Sequence, residues 1–184
     1  MIQGDRLTGI VINDATPEVE LYAYSHEQRL TSYTDKDEVE TVYGFDDGMK
    51  RTYKKVGTAS AQRFMYDGDD TVYEDGVTTS TYVNGLGIDE KRLLARGEYV
   101  HVYLSDAQGT TREIMSTGGT VESRYDYTAW GESTADIWND TTLSETVVQD
   151  YQYTGRRKDR ESKLYYYRAR MYDPAKDASS QKMR

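Results

Sequence analysis

The chain has 184 residues, with 23 Lys and Arg against 32 Asp and Glu, so its formal net charge is −9. This length suits one ordinary domain, and the acidic balance argues against general binding to phosphate backbones. With no cysteine and with only His26 and His101, the sequence excludes disulfides, a cysteine nucleophile and thiolate or multi-histidine metal sites. No apolar run reaches the roughly 18 residues of a membrane-spanning helix, and the N-terminus lacks the pattern of a signal peptide.

Tyrosine dominates the apolar composition, with 18 Tyr against 2 Phe and 2 Trp. Tyrosine rings bury apolar area while their hydroxyls still need water or a partner, which favours thin layers of structure with both faces near solvent. The many Thr and Val residues favour β structure. Disordered chains are poor in aromatic residues, so the composition predicts a folded, β-rich protein.

A repeated motif of the form aromatic–x–aromatic–Ser/Asp marks the first half of the chain. It occurs at residues 22–25, 43–46 and 64–67, with two equal intervals of 21 residues. Looser copies lie at 125–127 and 151–153. Side chains at positions i and i+2 share one face of a strand, whereas on a helix they diverge. A period of this length predicts an array of β-hairpins.

Turn signals separate the strand-forming runs in chain order. Residues 35–37 separate runs at 30–34 and 38–45, and two-residue turns are predicted at Asp75-Gly76 and Gly118-Gly119. Further turns are predicted at Asp47-Gly48, Asp67-Gly68 and Asn84-Gly85. Apart from a short turn within 86–95, the pattern contains no helix, so we expect one long antiparallel meander of little helical content. Each hairpin then packs only on its neighbours and the sheet keeps two open edges, which indicates a piece of a larger array.

Three segments of the second half carry a family resemblance. They are Tyr103-Leu104-Ser105-Asp106-Ala107-Gln108-Gly109-Thr110-Thr111-Arg112, Tyr125-Asp126-Tyr127-Thr128-Ala129-Trp130-Gly131-Glu132, and 151–174, which contains Tyr153-Thr154-Gly155 and Leu164-Tyr165-Tyr166-Tyr167-Arg168-Ala169-Arg170-Met171-Tyr172-Asp173-Pro174. Together with the repeats, they resemble the tyrosine–aspartate (YD) repeats and the repeat-associated core of the Rhs family, whose wider relatives include insecticidal toxin-complex shells and teneurins. The motif residues that we assign a structural role are Tyr22, Tyr24, Tyr43, Phe45, Phe64, Tyr66, Tyr103, Asp106, Gly109, Tyr125, Tyr127, Gly131, Tyr153, Gly155, Leu164, Tyr165, Tyr166, Arg168, Arg170, Tyr172, Asp173 and Pro174.

The resemblance implies an all-β, curved or spiralling shell of hairpins that encloses and delivers a C-terminal toxin, which this chain lacks. It divides the chain into YD repeats at 1–102, the repeat-associated core at 103–174 and a divergent tail at 175–184. It implies a non-catalytic role, with no catalytic, cofactor-binding or metal-binding residues, and no nucleic-acid partner or membrane span. The partners that it implies are the rest of a shell or its toxin, with self-association through open sheet edges. A cell-surface module for adhesion or carbohydrate binding is the alternative, and an enzyme is a third class.

The tail departs from the family pattern, which in many bacterial members continues with Gly-Arg-Phe and an autoproteolytic aspartate. We therefore expect no self-cleavage, and Asp173-Pro174 belongs to the core motif. Residues 176–184 can be encoded by codons in which a shift by one nucleotide restores Gly-Arg-Phe. We hypothesise that such a shift truncated a longer protein, which the downstream nucleotide sequence tests.

Charged clusters elsewhere have structural interpretations. Residues 155–170 hold seven basic and two acidic residues, which we expect to stack on tyrosines and pair with the acidic sheet, although a phosphate or an acidic partner is the alternative. Asp67-Gly68-Asp69-Asp70 lacks the ligand spacing of a calcium loop and is interpreted as turn acidity. His101 is expected to line or pack the sheet, and Trp130 to close a hairpin core rather than to stack a sugar.

Overall fold

The structure, a computed structural model, describes residues 8–12, 18–76, 79–133 and 149–175. Twelve antiparallel strands form one sheet in which every strand pairs with its neighbours in chain order. They are β1 (Thr8–Ile12), β2 (Glu18–Tyr24), β3 (Leu30–Thr34), β4 (Glu40–Phe45), β5 (Arg51–Val56), β6 (Gln62–Asp67), β7 (Asp70–Asp75), β8 (Ser80–Asn84), β9 (Lys91–Arg96), β10 (Tyr99–Ser105), β11 (Thr111–Ser116) and β12 (Val121–Arg124). The predicted antiparallel meander is confirmed.

A second, smaller sheet follows the meander. It consists of β13 (Arg157–Lys158), β14 (Tyr165–Tyr167) and β15 (Arg170–Tyr172), again antiparallel and in chain order. A 3₁₀ turn at Tyr153–Gly155 precedes it and is the one helical element among the described residues. We call residues 149–175, which include this sheet, the C-terminal segment.

The repeated aromatic motif places one buried ring on every second strand. Tyr22, Tyr43 and Phe64 are buried on one face of the sheet, and Tyr82 and Tyr103 occupy the same place on β8 and β10. We call this the inner face. Alternation along each strand turns the intervening side chains to the opposite, outer face, as the motif predicts.

The looser copies of the motif lie outside the regular strands. Tyr125 follows the end of β12, Tyr127 and Tyr151 each form an isolated bridge, and Tyr153 lies in the 3₁₀ turn. Their rings still contribute to the interior, because Tyr125 and Tyr151 are buried beside the ladder of inner-face residues. These copies of the motif therefore contribute rings to the same core, although they do not lie on regular strands.

A bulge recurs on the odd-numbered strands. The pairing register skips one residue at Thr31, Thr52, Val72, Arg92 and Arg112, so these residues recur at intervals of 20 or 21. An extra residue interrupts the two-residue alternation of the strand and increases its local twist. As a result, positions i and i+3 of these strands both face inwards, which is the burial pattern of β3 and β5.

A turn of one design closes six of the hairpins or loops. Its first residue is Ser25, Asp35, Asp46, Asp106, Ser116 or Thr128, whose N–H donates to the carbonyl four residues on and whose carbonyl accepts from the N–H three residues on. The side-chain oxygen also accepts the N–H of the residue four positions on, the fifth of the turn, as Asp46 Oδ1 does from Lys50 N at 2.8 Å. Ser25 and Asp46, which end two copies of the aromatic motif, thus cap turns of this design, whereas Asp67, which ends the third copy, pairs with Asp70.

The predicted two-residue turns at Asp75-Gly76 and Gly118-Gly119 are wrong in length. Ser116 begins a longer turn of the design above, and β8 starts only at Ser80, opposite Glu74. Two-residue turns occur instead where Asp67 pairs with Asp70 and where Arg96 pairs with Tyr99. A glycine pair or Asp-Gly supplies positive φ but does not determine how many residues a turn contains.

The predicted division of the chain is not tested by the fold, since the boundary at 102/103 falls within β10. Of the predicted tail at 175–184, residues 176–184 lie outside the described residues, and the origin of the tail stays a hypothesis.

Candidate functional site

The C-terminal segment packs against the inner face of the meander. The Tyr103 hydroxyl donates to Gln149 Oε1 at 2.6 Å, and Gln149 N donates to the Tyr125 hydroxyl at 3.0 Å. Further along, Arg51 N on β5 donates to the Tyr166 hydroxyl at 2.9 Å. Each of these contacts joins residues far apart in sequence. The C-terminal segment therefore covers the inner face that the strands form.

Two apolar clusters flank this interface. Around β8–β12, Tyr82, Leu94, Tyr103 and Ile114 pack with Tyr151 of the C-terminal segment. Around β2–β4, the buried residues are Tyr22, Leu30, Tyr33 and Tyr43, and Leu164 of the segment completes them. Buried aromatic side chains thus stabilise the interface at both of its ends.

Charged side chains occupy the interface between these clusters. Arg51 Nη1 lies 2.6 Å from Asp159 Oδ2, and their side chains are 1% and 0% exposed. Lys54, three residues after Arg51 and on the same face because of the bulge, lies 3.4 Å from Asp159 Oδ1 and 2.6 Å from Glu161 Oε2. The sheet contributes the two cations and the C-terminal segment contributes the two anions.

A second group of ion pairs continues this arrangement on β7. Glu74 pairs with Arg157, whose Nη2 lies 2.6 Å from Asp150 Oδ2. Asp150 also pairs with Arg160 at 2.7 Å, and the Tyr151 hydroxyl donates to Glu74 Oε1 at 2.9 Å. We call the eight ionisable residues of both groups the charge layer: Arg51, Lys54, Glu74, Asp150, Arg157, Asp159, Arg160 and Glu161. With four cations and four anions, it is electrically balanced.

Such a layer is costly to bury and specific in its geometry. Desolvation offsets much of the attraction within a buried pair, but removing one partner leaves an uncompensated charge. Although burial alone would raise the pKa of Asp159, Arg51 and Lys54 outweigh it and lower the pKa to about 2. The Arg51 guanidinium is further enclosed by the rings of Tyr166 and Tyr43, at 4.3 and 5.3 Å from its carbon.

The basic stretch at 155–170 pairs with the sheet as the sequence predicts. Arg156 and Arg168 both contact Asp89 in the β8–β9 turn, at 2.8 and 3.0 Å. Arg156 also lies over the Tyr167 ring at 5.0 Å. Arg156, Arg157 and Arg168 of this patch are therefore part of the fold, as the structural interpretation predicts.

A small cavity lies beside these contacts. It has a volume of about 20 Å³ and is lined by Tyr66, Asp69, Thr71, Asp89, Tyr151, Arg156, Arg157, Tyr166 and Arg168. A cavity of this size has room for about one water molecule. It is too small for a substrate.

Several motif glycines occupy positions where a side chain cannot fit. At Gly155, with φ +70°, a Cβ would lie 2.5 Å from the Asp89 carbonyl oxygen. At Gly131, with φ +85°, a Cβ would lie 2.4 Å from the Tyr153 ring. These glycines let the C-terminal segment approach the sheet closely.

The remaining motif residues lie around this interface. Asp106 begins a turn and Gly109 supplies its positive φ. The Tyr165 hydroxyl donates to the Gly131 carbonyl at 3.0 Å, and the Tyr172 hydroxyl donates to the Trp130 carbonyl at 2.7 Å. Tyr24, Phe45 and Tyr66 are half-buried on the inner face, Asp173 Oδ1 accepts Ala175 N, and Arg170 is exposed. The structural roles assigned to these residues stay predictions.

Sequence reasoning missed the sheet half of the charge layer. Arg51, Lys54 and Glu74 occupy the two inward positions that hold Leu30 and Tyr33 in β3. Aligning the odd-numbered strands by their 20- or 21-residue interval would have shown charged residues at apolar positions. Such a substitution inside a core indicates ionic partners elsewhere in the chain.

The polar side chains at this interface form a buried, ion-paired network. Every carboxylate of the charge layer is ion-paired. Within the described residues, no group of three or more His, Asp or Glu side chains could hold a metal ion. His101 is buried and paired with Glu122, whereas Trp130 is half-exposed. No helix of the described ranges has the length and apolar character needed to cross a membrane.

Comparison with known proteins finds relatives by sequence and solved structures of similar fold. No protein-family model matches the chain. The tRNA3(Ser)-specific nuclease WapA of Bacillus spizizenii is 32% identical over 163 residues, covering 83% of this chain and 7% of that protein. The tRNA nuclease WapA of Bacillus subtilis (strain 168) is 32% identical over 162 residues, with the same two coverages.

Among solved structures, a chain in the crystal structure of TcdB2-TccC3-TEV matches with a TM-score of 0.64 at 16% identity, covering 85% of this chain and 8% of that one. The chain thus spans less than a tenth of the length of each of these proteins. The sequence similarity, the motifs of the C-terminal half and the shared meander together support membership of the Rhs/YD-repeat family.

Proposed function

We propose that the chain is a structural, non-catalytic part of an Rhs/YD-repeat shell whose C-terminal segment seals the inner face of the hairpin array. The observation that carries this proposal is the charge layer, in which β5 and β7 provide Arg51, Lys54 and Glu74 for partners in the C-terminal segment. A shell wall needs its layers joined in one register. Buried ion pairs contribute such specificity because a misplaced partner leaves a buried charge unpaired.

The proposed role of the complete shell is to enclose and deliver a toxin. The WapA proteins are named as tRNA nucleases, but the chain matches only 7% of their length. The net charge of −9 disfavours binding to tRNA, and Arg156, Arg157 and Arg168 are all ion-paired. We therefore assign the shell, rather than the nuclease activity, to this chain, with the rest of the shell and its toxin as partners.

Incubation of the purified chain with total bacterial tRNA tests the non-catalytic assignment. Gel analysis should show intact tRNA at every time point, with a known ribonuclease as positive control. Cleavage that co-elutes with the chain on size exclusion would contradict the proposal.

Amide hydrogen exchange of the purified chain and its variants tests whether the C-terminal segment seals the inner face. In Glu74→Gln, Arg157 loses its carboxylate partner on the sheet, so amides of β7 and β13–β14 should exchange faster together. Glu113→Gln is the matched control, since Glu113 pairs with Arg124 at the surface. If the amides of the C-terminal segment exchange at the wild-type rate in Glu74→Gln, the charge layer does not hold this segment on the inner face.

A further inference from the structure

A buried lysine contacts an asparagine on the neighbouring strand. Asn84 at the end of β8 and Lys91 at the start of β9 are direct partners in the sheet. Lys91 is 4% exposed, and its Nζ donates to Asn84 Oδ1 at 2.7 Å and to the Thr71 carbonyl at 2.9 Å. Asn84 Nδ2 donates to the same carbonyl at 3.2 Å, which holds the amide in place.

Two tyrosine rings enclose the amine of this pair. The Lys91 Nζ lies over the rings of Tyr151 and Tyr82, at 4.7 and 5.3 Å from their centroids, and these contacts favour its charged form, against the effect of burial. Burial lowers the pKa of Lys91 to about 8, against the opposing charges of Asp70, Asp89 and Glu74. An amine near neutrality in an apolar pocket is a nucleophile, whereas a solvated ammonium is not.

The other repeats show that packing does not require this pair. The equivalent bulge-side partners are Tyr24 with Leu30, Phe45 with Arg51, Tyr66 with Thr71, and Ser105 with Thr111. The first residue of each pair is aromatic or small. Its partner is a leucine, a threonine or Arg51, whose guanidinium lies over tyrosine rings. Only in the β8–β9 hairpin, among these five equivalent pairs, does an amine meet a side-chain amide.

We propose that Lys91 and Asn84 join in an intramolecular isopeptide bond with release of ammonia. The lone pair of Lys91 Nζ attacks Asn84 Cγ, forming the Nζ–Cγ bond and a tetrahedral oxyanion. The Cγ–Nδ2 bond then breaks, and Nδ2 leaves as ammonia after taking up the proton that Nζ gives up. No electron donor or acceptor is involved.

The geometry supplies what such a reaction needs. The hydrogen bond of 2.7 Å from Nζ to Oδ1 holds the attacking nitrogen beside the amide group whose carbon is Cγ, and the sheet register holds both side chains there. Fixed proximity of this kind replaces an encounter in solution. The product closes a covalent ring around residues 85–90, the turn whose Asp89 binds Arg156 and Arg168.

Intact mass spectrometry of the purified full chain tests the bond directly. The expected mass is the sequence mass less one ammonia, and digestion should yield a peptide uncleaved at Lys91. Asn84→Ala and Lys91→Arg should each return to the full sequence mass. In Asn84→Asp the same attack expels water, so a loss of one water is the expected result.

Two outcomes overturn the proposal. The first is a wild-type chain that keeps its full sequence mass after prolonged incubation in the folded state at a pH above the pKa of Lys91. The second is a loss of ammonia that persists in Lys91→Arg and is cleaved by hydroxylamine, which identifies a succinimide at Asn84-Gly85. Because the wild-type mass decides the first outcome, a variant that fails to fold does not obscure the result.

Discussion

Asp159 is the residue on which the charge layer most depends. It is fully buried and accepts from both Arg51 and Lys54, so one substitution affects two cations. Replacing it removes the charge that offsets their burial.

We expect Asp159→Asn to lower the free energy of unfolding by about 3–5 kcal/mol, the usual cost of breaking a buried ion pair from one side. Urea denaturation followed by circular dichroism measures this. The control is Glu113→Gln, whose partner Arg124 is 47% exposed, and we expect a loss below about 1 kcal/mol there. Similar losses in the two variants would show that the buried layer contributes no more than a surface pair.

At this scale the sequence allows only part of the site to be predicted. The C-terminal arginines were expected to pair with acidic side chains, and Arg156 and Arg157 do so. Their partners Asp89 and Glu74 could not be chosen among 32 acidic residues, because the pairing joins distant parts of the chain. Contacts of long sequence separation leave no local pattern.

The recurring turn is the element that closes six of the hairpins or loops. Its fourth position has positive φ, held by glycine at Gly109, Gly119 and Gly131 but by other residues at Gln28 and Met49. Left-handed backbone costs a residue with a side chain roughly 1–2 kcal/mol. The turn therefore carries strain wherever glycine is absent.

We expect Met49→Gly to raise the free energy of unfolding by about 1 kcal/mol, after allowing for the greater freedom of glycine in the unfolded chain. Gly119→Ala should lower it by about the same amount, since a Cβ there meets open space and only the backbone conformation with φ +88° resists it. Thermal and urea unfolding check both. A stabilising Gly119→Ala would contradict the common design of these turns.

At the element scale, the strands and the places of most turns were predictable, and the lengths of the turns were not. The aromatic pairs at 22–24, 43–45 and 64–66 predicted β2, β4 and β6, since alternation within a strand is a local property. The bulges that bring Arg51 and Lys54 to one face depend on pairing between strands. Turn length likewise follows from the register of both strands.

Across the whole molecule, tyrosine takes the place that aliphatic residues hold in most cores. The meander was predictable because that composition and the 21-residue period both exclude helix. The packing of the C-terminal segment on the inner face was not predictable, because the resemblance implied a core motif without indicating which strands that motif covers. The consequence of a tyrosine core is a dependence of stability on alkaline pH.

Burial raises the pKa of Tyr43, Tyr82, Tyr103 and Tyr151 above the value of about 10 that tyrosine has in an unfolded chain. Their stabilisation is complete below pH of about 10, and it decreases as the pH rises from there towards the folded pKa values, because the unfolded chain then releases protons that the folded chain retains. Lys91, whose pKa is lowered to about 8, works in the opposite direction between about pH 8 and 10.5, but it is one group against many.

We therefore expect the free energy of unfolding to decrease above about pH 10 by about 1.4 kcal/mol per pH unit for each buried tyrosine that ionises only on unfolding. Urea titrations from about pH 8 to about pH 11 measure the slope. Tyr43→Phe should make this slope shallower by the contribution of one tyrosine, because Tyr43 is buried. A stability that stays constant to about pH 11 would mean that these hydroxyls ionise in the folded protein as readily as in the unfolded chain, contrary to the burial on which the inner face depends.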